Sequence, residues 1–223
     1  MTSSGIRNVC IAVALAASGG WAQAIGVVDA PADYVNGYAG SRKGDLDVIG
    51  AFVSYNPTTD RFVFSGTMNA DIGLSTGGLY VWGVNRGTGT ARFAGNGIDG
   101  VLFDAVVILR PDGGGTVSRL DPGGGTTSLA AGTALSAGST ILAQIDGSLL
   151  PGKGFAKTAY TWNLWPRDGT LPAGFGQIAD FAPDNSNLGV TVLGQVPEPS
   201  SLVMMGVGLA ALVGLRRRRP AGH

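Results

Sequence analysis

Leu46-Asp47-Val48-Ile49-Gly50-Ala51-Phe52-Val53-Ser54-Tyr55, then Asn56-Pro57-Thr58-Thr59-Asp60, then Arg61-Phe62-Val63-Phe64-Ser65-Gly66-Thr67-Met68, reads as a strand, a turn and the returning strand. Outward from this hairpin, further strands are expected at 78–84, 90–94, 101–109, 116–120, 140–145, 158–165 and 188–193. Glycine is abundant, at 38 residues, and no 3.6-residue apolar period stands out between the two ends of the chain. Short strands joined by Gly, Asp and Pro turns predict one all-β domain over 25–195, an antiparallel β-sandwich or jelly roll. Gly113-Gly114-Gly115 and Gly123-Gly124-Gly125 predict a low-complexity loop or small hairpin, with 111–138 the least ordered part.

Composition narrows the chemistry. Cys10 is the sole cysteine, His223 the sole histidine and Glu198 the sole glutamate. Without the terminal segments the domain has no imidazole and no thiol, which removes Ser-His-Asp and Cys-His catalysis and imidazole-based zinc sites. Setting aside Arg7 and Arg216 to Arg219, ten of the fifteen basic residues remain against fifteen acidic ones, a net charge of −5. No basic patch offers itself to nucleic acid. Gly95 to Gly100 fits GxGxxG but leads into an expected strand instead of opening a helix. A non-catalytic protein is expected; an Asp-based hydrolase is the remaining enzymatic possibility, with no pair of aspartates singled out.

Two binding readings follow from residue placement. Asp45 and Asp47 flank Leu46 at a strand start, so their side chains are expected on one side, with Asp29 and Asp33 just upstream. Such oxygens suit a structural calcium, the one cofactor considered; the competing reading is solvated turn carboxylates. Tyr160 and Trp162 share a strand face with Leu164, Trp165 follows, and Tyr80 shares a face with Trp82. Exposed, such rows would stack against sugar rings; buried, they would be core.

The ends carry addresses. Arg7, the apolar stretch 9–17 and Ala22-Gln23-Ala24 form a secretory signal peptide over 1–24, with cleavage expected after Ala24 and a mature start at Ile25. At the other end, Pro197 and Pro199 hold Pro197-Glu198-Pro199 extended. An uninterrupted apolar run follows, giving an expected transmembrane helix over 200–215, about 24 Å long. That is short of the ~30 Å hydrocarbon core, and the stems of Arg216, Arg217, Arg218 and Arg219 can snorkel to cover the difference. The positive-inside rule puts these arginines in the cytoplasm and the domain outside. Residues 220–223 form a short tail.

The segment 196–219 resembles the PEP-CTERM sorting signal of exported Gram-negative proteins, with Pro197-Glu198-Pro199, the apolar run and the arginine cluster in order. The resemblance implies recognition by exosortase, after Sec export and a transient stay in the inner membrane. It implies removal of the tail and delivery to the cell surface or outside, often in species that make exopolysaccharide. A plain single-span anchor is the competing reading. The expected function is a structural or interaction protein of the cell surface or biofilm matrix; the alternative is a carbohydrate-binding module, with polysaccharide as partner.

Overall fold

The computed structural model describes residues 26–194. The expected signal peptide, with Ala22 and Ala24, and the tail, with Pro197, Glu198, Pro199, the 200–215 helix and Arg216 to Arg219, lie outside them. Twelve strands form the described part: β1 (Val27–Val28), β2 (Val48–Asn56), β3 (Arg61–Met68), β4 (Gly78–Asn85), β5 (Ala105–Leu109), β6 (Gly115–Arg119), β7 (Thr126–Ser128), β8 (Ala134–Ala137), β9 (Thr140–Asp146), β10 (Thr161–Asp168), β11 (Leu188–Gly189) and β12 (Thr191–Val192). Four 3-10 turns complete the regular structure, and no helix among the described residues is long and apolar enough to cross a membrane.

The strands make two sheets. The first runs β1-β2-β3-β9-β8, and β12 pairs in parallel with the end of β2 beyond β1; the second runs β11-β10-β4-β5-β6-β7. All other pairings are antiparallel. The β2–β3 hairpin forms where the sequence puts it, with Val53 opposite Phe64 and Asn56 opposite Arg61. Its turn is fixed locally: Asn56 Oδ1 accepts the amides of Thr58 (2.9 Å) and Thr59 (3.2 Å), and Asp60 closes it at φ 50°.

Period-two alternation sends Val53, Tyr55, Phe62 and Phe64 of the first sheet toward Tyr80, Trp82, Trp162 and Leu164 of the second, all buried in one core. Phe64 meets Trp82 edge-on at 5.9 Å between ring centroids, and Phe62 stacks on Tyr160 at 5.7 Å. Gly66 allows the layers to meet: a Cβ there would sit 2.9 Å from Leu164 Cδ2 and 3.3 Å from Trp82 Cζ2.

The second sheet is buried on its outer face too. Val81 and Trp165 pack there with Phe103, Ile178 and Phe181, and with the partly buried Phe93 and Phe175. The rings of Phe103 and Phe93 approach Trp165 to 4.8 and 5.2 Å. Burial on both faces explains why β4 and the middle of β10 are apolar without alternation. Pro166 is tolerated inside β10 because its backbone faces the short 178–182 segment on that edge, where its carbonyl accepts from Ala179 N at 2.9 Å.

Three expectations change. Residues 90–94 form no strand: Thr90 makes one bridge to Phe103, and Ala94–Asn96 is a 3-10 turn, because Phe93 is drawn onto the outer aromatic cluster. The glycine-rich 111–138 region contains β6, β7 and β8, so its triplets are hairpin turns and junctions and the loop reading gives way to the hairpin one. The 188–193 strand divides at Val190: β11 joins β10, and β12 crosses to β2 in the other sheet.

Arg86, just past β4, is 0% exposed. Its Nε donates to Asp104 Oδ1 at 2.8 Å, and its terminal nitrogens donate to Pro151 O (3.1 Å), Asp104 O (3.2 Å) and Asp121 Oδ1. Burial opposes its charge, and the bonds to Asp104 and Asp121 more than offset this, so its pKa is raised. The Arg86 carbonyl accepts the amides of Lys153 and Phe155, both at 3.0 Å. One side chain thus joins the β4 end, the β6–β7 turn and the 151–155 loop.

Hydrogen bonds from Lys153, then Arg86, hold the Asp121 carboxyl down to about 2. A depressed folded-state pKa gives stability that is present above the unfolded value, about 3.9, and is lost as pH falls through the folded value. Asp121→Asn is therefore expected to flatten the fall in melting temperature between about pH 4 and pH 2. Melting curves across that window check this; an unchanged acid limb contradicts it.

Candidate functional site

Three distant stretches bring five aspartates together: Asp29 and Asp33 after β1, Asp47 at the entry to β2, and Asp180 and Asp184 in the segment along β10. One oxygen each from Asp29, Asp33 and Asp184 lie within 4.8 Å of one another, and the same holds for Asp33, Asp47 and Asp180. Asp33 belongs to both triads. Backbone contacts set the convergence: Val35 N donates to Ala179 O at 2.8 Å and Asp29 N to Ile49 O at 3.2 Å.

Asp180 is 1% exposed; its Oδ2 accepts from Val48 N (2.8 Å) and its Oδ1 from Phe181 N (2.7 Å). Asp47 is also 1% exposed; its Oδ2 accepts from Ala32 N (2.8 Å) and Asn69 Nδ2 (2.9 Å), while its buried Oδ1 has no hydrogen-bond partner among the described residues. Asp29 Oδ2 is likewise buried and without a partner among the described residues. Among the described residues no lysine or arginine forms a salt bridge with any of the five. Burial, then the charges of Asp29 and Asp33, push the Asp180 carboxyl up to about 8. Burial, then Asp33, raises Asp29 to about 6. A cleft of about 350 Å³, lined in part by Asp33, Asp180 and Asp184, opens beside the cluster.

Asp47 belongs to this cluster, and Asp45 does not. Asp45 turns instead to Ser75, accepting its amide and its hydroxyl, each at 2.6 Å. The two were expected on one side of a strand, but β2 begins only at Val48, and residues 45–46 lie in a turn where the pleat does not operate. Asp29 and Asp33, just upstream, lie in the same cluster as Asp47. Asp180 and Asp184 were missed: nothing local marks them apart from other turn aspartates.

The aromatic row is not a surface. Tyr160 and Trp162 are 0% exposed and Trp165 is 2% exposed, so none can stack on a sugar. Trp162 and Tyr160 face the inter-sheet core, and Trp165 faces the outer cluster under the 90–103 and 171–184 segments. Burial also occupies their polar tips: Tyr160 Oη donates to Leu150 O (3.0 Å) and Trp162 Nε1 to Gly189 O (3.2 Å). Phe155 is the single exposed aromatic among the described residues.

No curated protein and no solved structure matches the chain. The family model of the PEP-CTERM protein-sorting motif matches residues 195–219, so the chain carries there the motif that implies export toward the cell envelope or surface by exosortase-dependent sorting.

Proposed function

We propose that the chain is a non-catalytic β-sandwich protein of the cell surface or extracellular matrix, delivered by its sorting motif and released from that motif by processing near Pro197-Glu198-Pro199. The single observation that carries this reading is the match at 195–219. It is supported by a domain with neither histidine nor cysteine between 26 and 194. The signal peptide, the inner-membrane intermediate and the matrix role belong to the same proposal. Burial of Tyr160, Trp162 and Trp165 takes away the aromatic face on which the carbohydrate-binding alternative stood.

Intact mass and fractionation of the native protein in its own cells test this. The expected species is at the surface or in the medium, begins near Ile25 and ends near the Pro197-Glu198-Pro199 segment. A membrane-bound species that retains Arg216 to His223 overturns processing and makes the tail a plain anchor.

A further inference from the structure

Five carboxylates with no lysine or arginine paired to them among the described residues are costly to assemble, because each raises the energy of its neighbours' charged forms. The chain nevertheless gathers them from stretches some 150 residues apart, and it aligns two by backbone hydrogen bonds: Asp47 through Ala32 N and Asp180 through Val48 N. Asp47 points independently to a missing ligand. It is 1% exposed, its carboxylate belongs to one of the two converging triads, and its Oδ1 has no hydrogen-bond partner among the described residues. A buried anionic oxygen without a donor is strongly disfavoured unless a cation meets it.

We infer that this cluster is a calcium site, with Asp33 at its centre, Asp47 and Asp180 on the buried side and Asp29 and Asp184 on the solvent side. Within each triad the three oxygens lie within 4.8 Å of one another, so each set of three fits on a coordination sphere of about 2.4 Å radius, the calcium–oxygen distance, and Asp33 is common to both sets. The donors are all hard oxygens, with no thiolate or imidazole in the domain, which disfavours zinc and copper. Their loop origin suits calcium's loose, high-number coordination better than magnesium's strict octahedron. The adjoining cleft, with Asn36 and Asn96 on its wall, gives the ion a path in and room for water ligands.

Bound calcium would tie the stretch after β1 to the start of β2 and to the segment that roofs the outer aromatic cluster. It would convert mutual repulsion at three junctions into a cross-link. The inference rests on the proposed export only for the supply of the ion, since calcium is plentiful outside the cell. Binding is measured on purified protein, so its failure leaves the sorting reading untouched.

The test is a melting curve of the full chain in mild detergent, in EDTA and in 10 mM calcium chloride, with calorimetric titration of calcium chloride alongside. At an affinity of about 10⁻⁴–10⁻³ M, usual for extracellular modules, the melting temperature is expected to rise by about 3–10 °C. Magnesium chloride at the same concentration gives less than half that rise. Asp33→Asn, at an exposed position where folding is safe, removes most of the calcium effect, as does Asp47→Asn; the remote Asp112→Asn keeps it. Absence of both the rise and the binding heat overturns the inference. So does an equal rise with magnesium, or an undiminished calcium rise in Asp33→Asn.

Discussion

Arg86→Met is expected to lower the unfolding free energy by about 3–5 kcal/mol, among the largest losses available in this chain. The size comes from what is left behind. Asp104 is buried, with its side chain 4% exposed, and Arg86 is its one ion-pair partner among the described residues. After the substitution Asp104 would still accept from the backbone N of residue 86 (3.2 Å to each oxygen), Thr88 N (3.0 Å) and Thr88 Oγ1 (2.9 Å), which solvate the carboxylate without neutralising it. Asp121 keeps Lys153 at 2.8 Å on a half-exposed side and suffers less. Pro151 O and Asp104 O would each lose a donor as well. Set against a typical total of about 5–15 kcal/mol, the loss brings the domain near its unfolding threshold. Denaturant melts should show a lower midpoint with an unchanged slope. Adding Asp104→Asn removes the stranded charge while keeping an acceptor for Thr88, and should recover a substantial part of the loss. A single-variant loss below about 1 kcal/mol would mean that water replaces the guanidinium and that the buried pair is not what holds the 151–155 loop.

How far such features can be read from sequence depends on whether their cause is local. The 46–68 hairpin was legible because Asn56-Pro57-Thr58-Thr59-Asp60 builds its own turn and both arms are long enough to pair without help. β1, β7 and β8 were not legible: Val27–Val28, Thr126–Ser128 and Ala134–Ala137 are two to four residues long, and each is a strand only because a longer neighbour offers an edge. The split of 188–193 between sheets is likewise a tertiary event. At the candidate site the pattern repeats. Asp29, Asp33 and Asp47 stood close enough in sequence to be considered together, whereas Asp180 and Asp184 arrive only when the segment after β10 folds back. Asp45 looked equivalent to Asp47 because two residues apart means one face in a strand, and the equivalence fails because β2 starts only at Val48, after both of them. Arg86 gave no signal, since a buried arginine is rare and its partners Asp104 and Asp121 lie on other turns.

Trp162→Ala is expected to cost about 3–5 kcal/mol and to leave glycan binding unaffected, the opposite of what a sugar-stacking residue would do. Trp162 lies in β10 between Val84 of β4 and Leu188 of β11, inside the core shared by both sheets. Truncation would open a void in the close-packed core shared by the two sheets, where Trp162 is 0% exposed. It would also strip Gly189 O of its indole donor at the point where β11 turns back toward the first sheet. Trp162→Phe keeps a ring but not the donor, and should cost less. Thermal and denaturant melts give the stability arm, and retention on native polysaccharide gels gives the binding arm. A variant that melts like the parent yet loses retention on a gel would put Trp162 on an accessible surface and restore the carbohydrate-binding reading. A destabilised variant whose folded fraction migrates as the parent does places the aromatic row in the interior, and leaves the surface function of this domain to its loops and carboxylates.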